Sequence, residues 1–173
     1  MERTKEEILE EIMKEHGGEL VRLAFHYVKD NETAKDMVQN TFIKCYENLN
    51  DFRFDSSIKT WLYRITINQC KDYLKSWHYR KVHVKNLFES VVTPFSPSTE
   101  EQVVKDSEHE EMKNLIFSLP RKYREVIFLF YYKSFSLEEI AQLTELNLNT
   151  VKTRLSRGKK RLKSLMEEGN VHG

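Results

Sequence analysis

Two stretches of this 173-residue chain set cations among hydrogen-bonding side chains at helical spacing. Arg64, Asn68, Lys71 and Lys75 stand at i, i+4, i+7 and i+11, one stripe of a helix, and Lys152, Thr153, Ser156, Arg157 and Lys160 gather on one side of another. Ammonium and guanidinium groups interleaved with amide and hydroxyl donors suit phosphate oxygens and base edges. Solvated helix faces are the plain alternative. Residues for bond-making chemistry are harder to find. The acidic clusters at Glu6 to Glu15 and Glu100 to Glu111 read as solvated faces or partner-binding surfaces rather than a paired acid and base. None of the six histidines falls into His-Glu-x-x-His or Cys/His ligand spacing, so no metal is expected. Cys45 and Cys70 form no Cys-x-x-Cys. No catalytic residue, cofactor or small-molecule substrate is expected.

The formal net charge of +1 hides a segregation. Residues 52–85 carry net +6 and residues 148–173 net +5, while residues 1–51 and 86–120 carry net −5 each. Separate positive patches can grip one polyanion at two places, and the acidic stretches limit indiscriminate sticking to it. Ordinary solvated faces would give the same count. Glycine and proline together supply 8 residues of 173, against an average of about 12%, so turns are few and elements long. No run approaches about 18 apolar residues, and the opening Met-Glu-Arg-Thr-Lys-Glu-Glu has no apolar signal core. A cytoplasmic protein follows as the expectation.

The elements that must carry these residues are all helical. Asp30 or Asn31 can cap a helix whose Ala34, Val38, Thr41, Phe42, Cys45 and Leu49 make one buried stripe. Asp36, Gln39, Asn40 and Ile43 lie opposite, so an isoleucine stands among polar groups, either a surface accident or part of a protein interface. A second helix, about Ser57 to Arg80, shows Ile58, Trp61, Leu62 and Ile65 on one side and Tyr63, Ile67, Cys70, Leu74 and Trp77 on nearly the other. Two apolar faces predict a helix central to its domain, with both tryptophans in its core and the Arg64 stripe as its open edge. The segment Asn50 to Ser57 mixes aromatics, Arg53 and small polar groups outside any period, and could hold an unstacked base. Pro94 and Pro97, followed by an acidic run, predict a Pro/Ser/acidic linker over 83–106 between domains at 1–82 and 107–173. In the second domain Leu119-Pro120-Arg121 opens a helix that includes the apolar run Val126 to Tyr132. Ser136-Leu137-Glu138-Glu139 forms a capping box for a short helix through Leu143. Asn147 then caps a third, with Val151, Leu155, Gly158 and Leu162 inward. Two short helices joined tightly, the second with a basic face, form the helix-turn-helix pattern.

Three strings together resemble the extracytoplasmic-function group of bacterial RNA polymerase sigma factors, of the sigma-70 class. They are Ala34-Lys35-Asp36-Met37-Val38-Gln39-Asn40-Thr41-Phe42; Thr60-Trp61-Leu62-Tyr63-Arg64-Ile65 with Asn68 and Asp72; and Leu137-Glu138-Glu139-Ile140-Ala141 with Thr150-Val151-Lys152-Thr153-Arg154-Leu155. The resemblance spans about residues 5 to 166. It implies an all-α, two-domain promoter-specificity subunit. Core polymerase would dock on the helix bearing Asp36, Gln39, Asn40 and Ile43. Melted minus-10 DNA would meet Arg53, Phe54, Asp55, Ser57, Lys59, Arg64, Asn68 and Lys71. Duplex minus-35 DNA would meet Lys152, Thr153, Ser156, Arg157 and Lys160. An anti-sigma factor is the further partner the resemblance implies. Lys35 stands where the family commonly has an acid, Asn149 where it has glycine, and Gly158 where it has alanine. The competing reading is an autonomous helix-turn-helix regulator that dimerises on two half-sites.

Overall fold

The computed structural model describes residues 2–53, 55–85 and 107–171, and helices are the regular structure among them. Chain contacts divide the protein into two units, Met1–Ser98 and Thr99–Gly173. The expected linker at 83–106 lies outside the described residues except at 83–85, where the backbone is still helical.

In the first unit Thr4 starts α1 (Lys5–Val28) with a capping box. Its hydroxyl accepts from the Glu7 amide at 3.2 Å, and the Glu7 carboxylate accepts from the Thr4 amide at 2.9 Å. Lys29 ends α1 in the left-handed conformation, and Asp30 at once caps α2 (Asn31–Asn48), accepting from the Thr33 amide at 2.9 Å and its hydroxyl at 2.5 Å. These bonds, the hydroxyl's foremost, hold the Asp30 carboxyl below the usual range. With only two residues between them, α1 and α2 form a hairpin. The predicted α2 stripe is buried from Ala34 to Cys45, with Leu49 half-buried in a following 3-10 turn (Leu49–Asp51).

The third helix, α3 (Ile58–Lys85), packs on both α1 and α2 and extends past the expected end at Arg80. It does not have two opposed buried faces. Its fully buried residues, Leu62, Tyr63, Thr66, Ile67 and Cys70, form a single arc, while Ile58, Trp61 and Ile65 are only half-buried. Thr66 lies within that arc and faces Thr41 of α2, with hydroxyls 3.2 Å apart, and each also reaches the carbonyl four residues back. Each hydroxyl proton has a carbonyl to donate to, and either can turn instead to the other hydroxyl, so neither donor is left unsatisfied in the core. Trp77, expected in the core, is 41% exposed. Among the residues of α3 whose burial is described, none after Cys70 is fully buried, and Trp77 falls in that stretch.

The second unit consists of α4 (Ser107–Ser118), α5 (Arg121–Ile127), α6 (Leu137–Thr144) and α7 (Leu148–Val171). Arg124 on α5 is buried and donates to the carbonyls of Phe117 and Leu119 at 3.1 and 3.3 Å, capping the C-terminus of α4. The run expected to continue as α-helix to Tyr132 switches after Ile127 into one π turn (Phe128–Tyr132). Seven consecutive apolar residues cannot all face inward at 3.6 per turn. The wider turn buries Phe128 and Leu129 and leaves Tyr131 and Tyr132 about half exposed, at 50% and 49%. The Ser136–Glu139 capping box is present, with 3.1 and 2.7 Å bonds. Glu145 closes α6 in the left-handed region, and Asn147 Oδ1 accepts from the Asn149 amide at 2.8 Å to start α7. Val151, Leu155 and Gly158 are buried on the inward face and Leu162 half-buried, as the spacing predicts.

Candidate nucleic-acid and polymerase interfaces

On α2, burial of one face fixes the other outward. Asp36, Gln39, Asn40 and Ile43 are all exposed, Ile43 at 52%. Lys35 pairs with Glu32 at 3.2 Å, a one-turn ion pair that draws its ammonium toward the start of the helix. Asp36 makes no ion pair among the described residues. The result is a polar rim around one large apolar side chain.

Along α3, Arg64, Asn68 and Lys71 are half-buried and Lys75 is exposed, in a continuous stripe. Ser57 is committed as a cap, accepting from the Thr60 amide at 3.1 Å. Lys59 is held inward by Glu19 at 3.1 Å and lies 5.6 Å from the centre of the Tyr63 ring. Glu19 also accepts from the Tyr63 phenol, and burial first, then that bond, raises the phenol well above its ordinary range. Lys59 is thus partly neutralised where it stands. Arg53 and Asp55 are exposed; Phe54 lies outside the described residues. Phe52 stacks on Trp61 with ring centres 4.6 Å apart, which anchors the loop to the helix and occupies one aromatic face. Burial pushes the Cys45 thiol up to about 11 and the Cys70 thiol up to about 12, so both are protonated core groups.

On α7 all five residues expected at the minus-35 element, Lys152, Thr153, Ser156, Arg157 and Lys160, are exposed. The structure adds a cleft of about 360 Å³ between the start of α5 and the first turns of α7. Lys122, Asn149, Thr150, Thr153, Arg154 and Arg157 line it over the Tyr123 ring. Lys122 and Arg154 were not among the residues expected from sequence. Arg154 had a signal, standing three positions before Arg157 on the same flank, whereas nothing in the sequence links Lys122 to it.

The family profile described as Sigma-70 region 2 matches residues 12–78, and that described as Sigma-70, region 4 matches residues 109–162. In that order, on two helical units, they define a sigma-70-class protein. The RNA polymerase sigma factor SigV of Bacillus subtilis (strain 168) is 33% identical over 159 residues, covering 91% of this chain and 90% of that protein. The ECF RNA polymerase sigma factor SigW of the same strain is 28% identical over 166 residues, covering 91% and 88%. The ECF RNA polymerase sigma-E factor of Salmonella typhimurium (strain LT2) is 34% identical over 148 residues, covering 79% and 75%. Among solved structures, the sigma factor RpoE of Bartonella quintana, in complex with the anti-sigma factor NepR, shares the fold. Its TM-score is 0.69 at 23% identity, over 91% of this chain and 96% of that one. The chain belongs to the extracytoplasmic-function family of RNA polymerase sigma factors. It is a promoter-specificity subunit, and the autonomous regulator is not the favoured reading, since a region 2 and a region 4 match stand together in one chain.

Proposed function

We propose that the two units divide promoter recognition, with α2 docking core polymerase, α3 and its preceding loop holding melted minus-10 DNA, and α7 reading duplex minus-35 DNA. The observation that carries this is the coincidence of each expected surface with a solvent-facing side of its helix inside a matched sigma region. Asp36, Gln39, Asn40 and Ile43 take the docking role. Arg53, Asp55, Arg64, Asn68 and Lys71 contact the single strand, along with Phe54. Ser57 acts by starting α3, and Lys59 contributes only by exchanging Glu19 for a phosphate. On α7, Thr153 and Lys160 face the groove directly, and Lys152, Ser156 and Arg157 flank them. Polymerase supplies the chemistry. Among the described residues no group of His, Cys, Asp or Glu could hold a metal, and no helix is long and apolar enough to cross a membrane. Action in the cytoplasm, where core polymerase resides, belongs to the same proposal. So does an anti-sigma partner, of the kind bound to RpoE of Bartonella quintana.

The direct test is transcription from genomic templates by core polymerase with and without the protein. New transcript starts that require it are expected, and an unchanged set of starts would sink the reading. A second outcome concerns the α3 stripe. The protein with core polymerase should bind a single-stranded minus-10 oligonucleotide in preference to the same sequence as duplex. Asn68→Ala and Lys71→Ala should each weaken that binding about fivefold, the loss of about 1 kcal/mol for one hydrogen bond. Equal affinity for both DNA forms would reject strand capture.

A further inference from the structure

We propose that the cleft between α5 and α7 seats a backbone phosphate of duplex DNA, clamped by Lys122 and Arg154, at a register set by the fold rather than by base sequence. The inference rests on the reading of α7 as a duplex-binding helix. Three cations, Lys122, Arg154 and Arg157, converge there with the Thr150 and Thr153 hydroxyls, and no carboxylate lines the space. Like charges gathered without an acid repel one another, and an anion placed among them removes that cost. Arg154 is half-buried, yet makes no ion pair or hydrogen bond among the described residues. A guanidinium partly stripped of water and left unpaired is costly, and a phosphate oxygen is the partner its fork matches. Tyr123, 5% exposed, floors the cleft, with Lys122 Nζ and the Arg161 guanidinium each 5.1 Å from its ring centre, a contact that favours Lys122 standing over the cleft.

Position on the helix separates phosphate from base. At about 100° per residue, Thr153 and Lys160 mark the middle of the face opposite Val151, Leu155 and Gly158. Arg157 lies about 50° and Arg154 about 110° round from that middle, toward α5. A major groove about 12 Å wide holds a helix with its central face on the base edges and its flanks against the sugar-phosphate walls. Arg154 therefore meets a wall, and Lys122, from another helix, meets the same phosphate from the other side. Arg157 stands between the two regimes.

The experiment takes the full-length protein and the duplex it prefers from a random pool, plus a point variant of that duplex, titrated at several salt concentrations. Lys122→Gln and Arg154→Gln should each lower affinity about eightfold at 0.1 M salt and reduce the slope of log affinity against log salt by about 0.9, while leaving the preferred-to-variant ratio unchanged. Arg157→Ala should instead flatten that ratio. Inorganic phosphate added at constant ionic strength should leave wild-type affinity unaltered. Wild-type slope and affinity in both glutamine variants would overturn the clamp, as would competition by inorganic phosphate that both variants abolish, which would mark a free-anion site. If Arg154→Gln lowers the melting temperature, Lys122→Gln, at an exposed position, carries the test alone. Failure of the wild-type protein to prefer any duplex would instead strike the reading of α7 itself.

Discussion

Ile43→Asp lowers affinity for core polymerase by at least about thirtyfold, roughly 2 kcal/mol, while helicity and melting temperature stay at wild-type values. The size follows from what the substitution does at an interface. A seated isoleucine contributes about 1.5–3 kcal/mol through removal of apolar surface from water, and an aspartate there adds the cost of a carboxylate held against an apolar pocket. The lack of a stability effect follows from the fold. Ile43 is 52% exposed on a helix whose packing is done by Ala34, Met37, Val38, Thr41, Phe42 and Cys45 on the other side. Asp36→Ala should also weaken docking, by less, because a charge at the rim acts mainly on the encounter rate and fades with salt. Fluorescence-monitored titration of labelled protein with core polymerase, at two salt concentrations, measures both. Wild-type affinity in both variants would show that core polymerase does not use this face.

How far the sequence carried these assignments depended on whether the relevant contact was local. The capping box at Ser136 and the caps at Asp30 and Asn147 are bonds between residues two or three apart, so composition and spacing alone identify such features; the box at Thr4 is of the same kind but was not read from the sequence. The inward and outward faces of α2 and α7 were legible for the same reason: each helix buries one stripe, and a 3.6-residue period has one solution for it. The α3 pattern was misleading because its apolar residues exceed what its two partners can cover. Ile58, Trp61 and Ile65 are left half-buried, and Trp77 stands outside although its period matches Tyr63 and Cys70. Thr66 was missed because a buried threonine breaks the apolar pattern: its hydroxyl is satisfied by the Leu62 carbonyl, and it faces Thr41, 25 positions away, which no local spacing shows. The π turn at Phe128 resolves a conflict between seven apolar residues and one buried face, and the sequence shows the conflict but not its resolution. Lys122 is the extreme case. It acquires a meaning only when α5 and α7 are packed and its ammonium stands in the same cleft as Arg154.

That packing leaves no room for a side chain at Gly158, and substitutions there should have a large and instructive effect on the second unit. A Cβ added at Gly158 would lie 2.9 Å from Ile127 Cδ1, 3.1 Å from Tyr123 Cβ and 3.5 Å from Ile127 Cγ1. The Ile127 methyl is the end of a flexible side chain and can turn away; Tyr123 Cβ moves only with the backbone of α5. Alanine gains about 1 kcal/mol of helix propensity over glycine and meets an overpacking cost of about 1–3 kcal/mol, so Gly158→Ala should be close to neutral or mildly destabilising. Valine adds two methyl groups to the same gap and recovers less propensity. Gly158→Val should therefore cost about 2–3 kcal/mol, a fall of more than about 8 °C in the melting of a unit this small, and weaken duplex binding by moving Arg154 relative to Lys122. The cause can be isolated by a cycle. In an Ile127→Val background the closest methyl is gone, so Gly158→Ala should turn from neutral to stabilising, with a coupling between the two sites of at least about 0.5 kcal/mol. Additive effects, or a Gly158→Val protein that melts with the wild type, would mean that the spacing of α5 and α7 does not depend on this glycine.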